Sequence, residues 1–122
     1  MRCGMIGDKL YLFRAIVTKV YDGDTCTVDI DLGFYTWIHK ENIRIARINA
    51  PELRGSERER GLISRDYLRS LILNKEIVLE TIKFKKGKYG RYLGEIWVKD
   101  EQGNYFNVND HMVATGHAVV YP

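Results

Sequence analysis

Thr25-Cys26-Thr27-Val28-Asp29-Ile30-Asp31-Leu32 alternates without a break, with Cys26, Val28, Ile30 and Leu32 on one face and Thr27, Asp29 and Asp31 on the other. A period of two with one polar face is the pattern of a half-buried antiparallel strand. Upstream, Leu10–Val20 is rich in apolar and β-branched residues and runs into the turn Asp22-Gly23-Asp24, so the two segments read as a hairpin. Downstream, Gly33 turns the chain into a third strand near Trp37–Ile48, with Ile43 and Ile45 as its core-facing pair. The three strands form a meander.

Pro51 stops the third strand, and the period changes to a helical one from about Ser56 to Leu73. At about 100° per residue, Ile63, Tyr67, Leu68, Leu71 and Ile72 fill one face, while Arg58, Arg65 and Arg69 form an opposite, solvated stripe. Two further strands, Glu76–Lys83 and Tyr92–Lys99, flank the basic loop Lys85-Lys86-Gly87-Lys88-Tyr89-Gly90-Arg91. A short helix over Val108–Thr115 follows, with Asn107 as N-cap and Gly116 ending it. The order predicts an α+β, mainly β fold over residues 1–122 as a single domain. Its expected form is a five-stranded OB-fold barrel with a helix between strands 3 and 4 and a short C-terminal helix.

A chain of 122 residues with 45% hydrophobic and 29% charged residues is neither a disordered tail nor a collagen-like repeat. No apolar run approaches the roughly 18–20 residues that span a bilayer. Asp8, Lys9 and Arg14 interrupt any signal-peptide core. The expectation is a cytoplasmic monomer without membrane contact, or a secreted protein if the chain is a fragment. Cys3 and Cys26 are too few for a disulfide framework and read as free thiols. Residues 40–91 carry 14 Lys and Arg against 7 Asp and Glu, whereas the remainder carries 5 against 9. That asymmetry suits a surface facing a polyanion such as nucleic acid.

Three segments carry groups that can do chemistry. Asp22-Gly23-Asp24-Thr25 brings two carboxylates to a tight turn, which alone is also ordinary turn composition. Arg44-Ile45-Ala46-Arg47-Ile48-Asn49-Ala50-Pro51-Glu52 ends a strand and places a carboxylate just beyond it. An arginine inside such an apolar strand must be paired or face a cleft. Lys88-Tyr89-Gly90-Arg91 offers an aromatic ring and a planar guanidinium suited to phosphate.

In this order and spacing, the segments resemble the staphylococcal nuclease (thermonuclease) family, over about residues 10–121. The resemblance implies a calcium-dependent nuclease acting on DNA and RNA, with single-stranded or unpaired substrate preferred. It implies Asp24, Asn49 and the Ala50 carbonyl as Ca2+ ligands and Glu52 as the general base. Arg44 and Arg91 would grip the phosphate, and Lys88, Tyr89 and Tyr121 would bind the nucleotide. The sequence departs from the family at Asn49, where an aspartate is expected, and at Ala50, where a threonine is. An amide oxygen can still ligate calcium, but the site loses one negative charge. The alternative is a catalytically weak module of the same fold that holds single-stranded nucleic acid.

Overall fold

The computed structural model describes residues 11–86 and 91–121, with backbone alone at residues 83–86. Among the described residues, eight strands and two α-helices follow one another. They are β1 (Leu12–Asp22), β2 (Thr25–Asp31), β3 (Trp37–Ile45), β4 (Ile48–Asn49), α1 (Arg58–Ile72), β5 (Glu76–Lys86), β6 (Tyr92–Lys99), β7 (Tyr105–Asn107), α2 (Val108–Ala114) and β8 (Val119–Val120). The main sheet has the order β3-β2-β1-β5-β6-β7, and a parallel pairing of β3 with β6 closes its first five strands into a barrel. The fold is therefore mainly β, with the OB-like barrel and both helices where the sequence placed them.

The alternation in β2 does what its pattern requires. Cys26, Val28 and Ile30 are buried, together with Ile43 and Ile45 of β3, Ile77 and Leu79 of β5 and Ile96 of β6. Leu32, expected on the same face, lies beyond the end of β2 and is half exposed. Burial pushes the Cys26 thiol up to about 12, which makes it an inert core group. Among the described residues, no helix is long and apolar enough to cross a membrane.

Several details correct the sequence reading. The third strand breaks at Ile45 instead of running to Ile48, because Arg47 takes a left-handed φ of 69°. Its guanidinium compensates with a fork onto Glu95, 2.7 Å on each arm, and a 2.9 Å contact to Asp110. The predicted helix begins as a 3-10 turn over Gly55–Glu57 and ends at Ile72, with Leu73 already extended. The face α1 buries is carried by Gly61, Ser64, Leu68 and Ile72, whereas Ile63 is 56% exposed. Small residues at positions 61 and 64 rotate the contact face away from Ile63, which a purely hydrophobic count cannot show. Nor is the arginine stripe simply solvated, since Arg69 donates to the Val20 carbonyl at 3.2 Å and Arg58 to that of Leu53 at 3.0 Å.

α2 is capped as expected, with the Asn107 side chain accepting from the Asp110 N–H at 2.8 Å. Asn109, the second residue of α2, is fully buried. Its amide nitrogen donates to the carbonyls of Ala46 (2.8 Å) and Gly94 (3.2 Å), and its oxygen accepts from the Ile96 N–H (3.0 Å). One side chain thus ties the helix to β6 and to the residue that follows β3, the two strands whose pairing closes the barrel. Gly116 (φ 81°) then reverses the chain into β8, which pairs with β4 as Ile48↔Val120 and Asn49↔Val119.

Candidate functional site

The turn between β1 and β2 sits at the barrel rim against α1 and the segment after β4. Gly23 is required there: a Cβ at this position would overlap Ser64 Oγ and lie 2.7 Å from the Ala50 Cβ. Ser64 itself is held by donation to the His117 carbonyl at 2.7 Å. The close approach brings Asp24 beside Ala50, whose N–H donates to Asp24 Oδ2 at 2.8 Å. Gly61 performs the equivalent service for the next segment, since a Cβ on it would overlap the Glu52 carbonyl oxygen and lie 3.0 Å from that of Pro51.

Asp24 is the centre of a small polar network. Arg44 approaches its Oδ2 at 3.5 Å, with both side chains largely buried at 15% and 9% exposure. Arg44 also donates to the Ile45 carbonyl at 2.7 Å and to Asn49 Oδ1 at 3.4 Å. The Thr25 hydroxyl donates to Asp24 Oδ1 at 3.2 Å and lies 3.2 Å from Arg91 NH1. Tyr121, positioned by a 2.8 Å bond from its N–H to the Arg47 carbonyl, places its ring 5.8 Å from the Arg44 guanidinium carbon. Asp24, Arg44, Asn49, Ala50, Arg91 and Tyr121 are therefore brought together. Lys88 and Tyr89 lie outside the described residues.

Glu52 stands apart from this network, on the wall of an adjoining cavity of about 340 Å³ that Asn49, Ala50, Arg60 and His117 also line. Its side chain is exposed, and its own N–H donates to Glu57 Oε1 at 3.2 Å. An exposed carboxylate on that wall can meet water that enters the cavity.

By sequence Asp22 is one of the two carboxylates of an ordinary turn. The structure makes it part of the site: its Oδ1 accepts the Asp24 N–H at 3.1 Å. Burial, then the hydrogen bond and negative charge of Asp24, push its carboxyl up to about 7. Thr25 likewise has no sequence signature beyond its place in the turn, yet it joins Asp24 to Arg91. A second acid two residues from the first was the one available signal, and only burial turns it into a perturbed pair.

The donor chemistry suits a hard divalent cation. Two carboxylates, an amide oxygen and a backbone carbonyl are all oxygen donors of the kind calcium accepts. Two acids crowded enough to perturb one of them gain from a positive charge between them. Among the described residues, however, no group of three or more His, Cys, Asp or Glu is placed to hold a metal. With Asn49 in the third position, the set carries less negative charge than an all-acid site would have.

The family model described as "Staphylococcal nuclease homologue" matches residues 42–122. An "Uncharacterized endonuclease" of Escherichia coli O157:H7 is 34% identical over 105 residues, covering 86% of this chain and 59% of that protein. The "Thermonuclease" of Staphylococcus intermedius is 29% identical over 110 residues, covering 88% and 60%. An "Uncharacterized protein" of Methanocaldococcus jannaschii is 30% identical over 120 residues, covering 86% and 58%. The chain thus spans about three fifths of the length of these relatives. The family match starts within β3, so the Asp22-Gly23-Asp24-Thr25 turn enters the site through the fold and not through that match.

Proposed function

Because this chain belongs to the staphylococcal nuclease homologue family, we propose that it is a nuclease hydrolysing phosphodiester bonds of DNA and RNA, with calcium as its cofactor. The observation that carries the reading is the Asp24 network, in which Arg44 and Arg91 converge on one carboxylate, directly and through Thr25. A site that only bound nucleic acid has little use for a buried acid among its phosphate-binding arginines.

Asp24, Asn49 and the Ala50 carbonyl would hold the cation. When bound, calcium would supply Lewis-acid neutralisation of a phosphate oxygen. Glu52 takes a proton from a water molecule as that water attacks phosphorus. A new P–O bond forms, the bond to the leaving oxygen breaks in line, and solvent returns a proton to the leaving oxygen. Arg44 and Arg91 hold the equatorial oxygens, whose negative charge grows towards the transition state. Arg44 is preorganised for this by the Ile45 carbonyl, Asp24 and Asn49. Tyr121 supplies a ring for the nucleotide beside Arg44, and Lys88 and Tyr89 would complete nucleotide binding. We read the acting unit as a monomer that prefers single-stranded or unpaired substrate.

Digestion of single- and double-stranded DNA, titrated from EGTA into millimolar calcium with magnesium and manganese alongside, tests the proposal. Calcium-dependent cutting that disappears in Glu52→Gln supports it. Cutting unchanged in both Glu52→Gln and Arg91→Ala would show the assigned machinery to be wrong. One observation favours a second reading, a binding module of the same fold: Asn49 leaves the cation short of a charge. Tight, salt-sensitive retention of single strands with no cleavage in any metal would select that reading.

A further inference from the structure

We propose that the outer face of β1, β2 and β3 carries a second nucleotide subsite, in which Lys19 takes a phosphate and the Tyr21 ring stacks on a base of a single strand. The inference rests on the reading of the chain as a nuclease and extends its substrate path. A groove of about 320 Å³ lies on this face, lined by Lys19, Tyr21, Thr25, Thr27, Asn42 and Arg91. Two of those residues, Thr25 and Arg91, already belong to the Asp24 network. The groove is therefore continuous with the site and is not a separate depression.

Strand register places its residues in rows. Lys19 pairs with Thr27 and Thr27 with Asn42, while Thr25 pairs with Arg44 one row nearer the turn. The rows are two residues apart along β2, about 7 Å, which is close to one step of an extended single strand. A phosphate gripped at the Arg44 and Arg91 row would thus find its neighbour near Lys19. The chemistry of the lining agrees: two cations, an aromatic ring and neutral donors, with no carboxylate. Thr27 Oγ1 donates to Asn42 Oδ1 at 3.0 Å, so the Asn42 amide nitrogen is left as its donor end. Asp29, the next acid along this face of β2, is engaged by the Lys40 N–H at 3.0 Å and by His39 at 3.4 Å. Tyr21 is 60% exposed, a ring held in solvent at the groove's edge. Ring stacking and backbone neutralisation without base-edge readout is the usual way a single strand is tracked.

The test is steady-state hydrolysis of oligothymidylates of increasing length, beside a thymidine nitrophenyl phosphodiester too short to leave the Arg44 row. It uses wild type, Lys19→Ala, Tyr21→Ala and Tyr21→Phe. Tyr21→Ala is expected to raise KM on the long substrate by about five- to 150-fold, the loss of one stacked base. Its kcat should hold, as should both constants on the short ester, and Tyr21→Phe should behave as wild type. Fluorescence anisotropy of labelled single strands in EGTA reads the site without turnover, and there Lys19→Ala should lower the salt slope by about 0.7. Equal losses on short and long substrates, or none on either, would overturn the subsite. An equal loss on duplex would overturn its assignment to single strands. If the wild type cleaved nothing, the nuclease reading would fall while the anisotropy arm still decided the subsite.

Discussion

Replacing Asn109 should cost more than its size suggests. The side chain is fully buried, and all three of its bonds go to backbone, two in β6 and one at the residue that follows β3. Asn109→Ala leaves the Ile96 N–H and the Ala46 carbonyl without their partner. The Gly94 carbonyl retains the Ala46 N–H at 2.9 Å and suffers less. Each buried group so orphaned costs about 1–3 kcal/mol, and a small cavity adds to this. The two groups together give about 2–6 kcal/mol, against a whole-domain stability of about 5–15 kcal/mol. Asn109→Asp separates the two halves of the argument. Its oxygen can still accept from Ile96, but the other oxygen faces two carbonyls at a buried position. At pH 8 it should therefore be less stable than Asn109→Ala. The same crowding raises its pKa, so the neutral acid, which can donate, is favoured by folding; that contribution grows as pH falls and is lost as pH rises through the folded pKa. Urea unfolding followed by circular dichroism at pH 5 and 8, with equal m-values, reads both effects. A loss below about 1 kcal/mol in Asn109→Ala, or an Asp variant indistinguishable from wild type at pH 8, would refute the reasoning.

Other outcomes follow from the site. Arg91→Ala should lower kcat by about 10²–10³, the usual effect of removing one preorganised charge-stabilising donor, with a much smaller effect from substituting the exposed Lys99; parallel rate assays at saturating substrate compare them. Without metal, the contribution of Asp22 to stability should be full below the unfolded carboxylate range and should be lost as pH rises through about 7, because folding favours protonated Asp22; the difference between wild type and Asp22→Asn in thermal melts run in EGTA should change over that range. Gly61→Ala should destabilise by about 1–3 kcal/mol through overpacking against the Pro51 and Glu52 carbonyls, although alanine in an open helix would add about 1 kcal/mol of stability; a raised melting temperature would contradict the close approach.

The barrel was legible because its strands are written in period two and its turns in glycine and aspartate. Cys26, Val28, Ile30, Ile43 and Ile45 lie where alternation puts them. The break after Ile45 was not legible, since an arginine at positive φ has no local signature and is stabilised by Glu95 and Asp110, both distant in sequence. Strands β4, β7 and β8 are two or three residues long and are specified by their pairing partners. In the site, Asp24 and Arg44 could be singled out by residue type and place. Asp22 could not, because its perturbation comes from burial that the turn sequence does not encode. Gly61 and Ser64 look like poor helix-face residues until the backbone they admit is seen.

Asn49 is where fold and function bear on each other most directly. Its amide oxygen receives Arg44 at 3.4 Å, and its backbone is fixed by pairing with Val119. Asn49→Asp would add a charge without moving the strand. A unit charge beside a divalent cation is worth several kcal/mol even at an effective dielectric of ~20. Part of this is offset, because the new carboxylate would also pair with Arg44 and would repel Asp24 when no metal is bound. A net gain of about 1.4 kcal/mol, or tenfold in calcium affinity, is the expected balance, read by calorimetric titration of wild type and variant. Unchanged affinity would show that the missing charge does not limit the site. If the variant cleaves DNA while the wild type only binds it, the substitution at position 49 has turned a nuclease fold into a binding module, and the retained Glu52 and Arg91 are the machinery that the restored charge puts back to use.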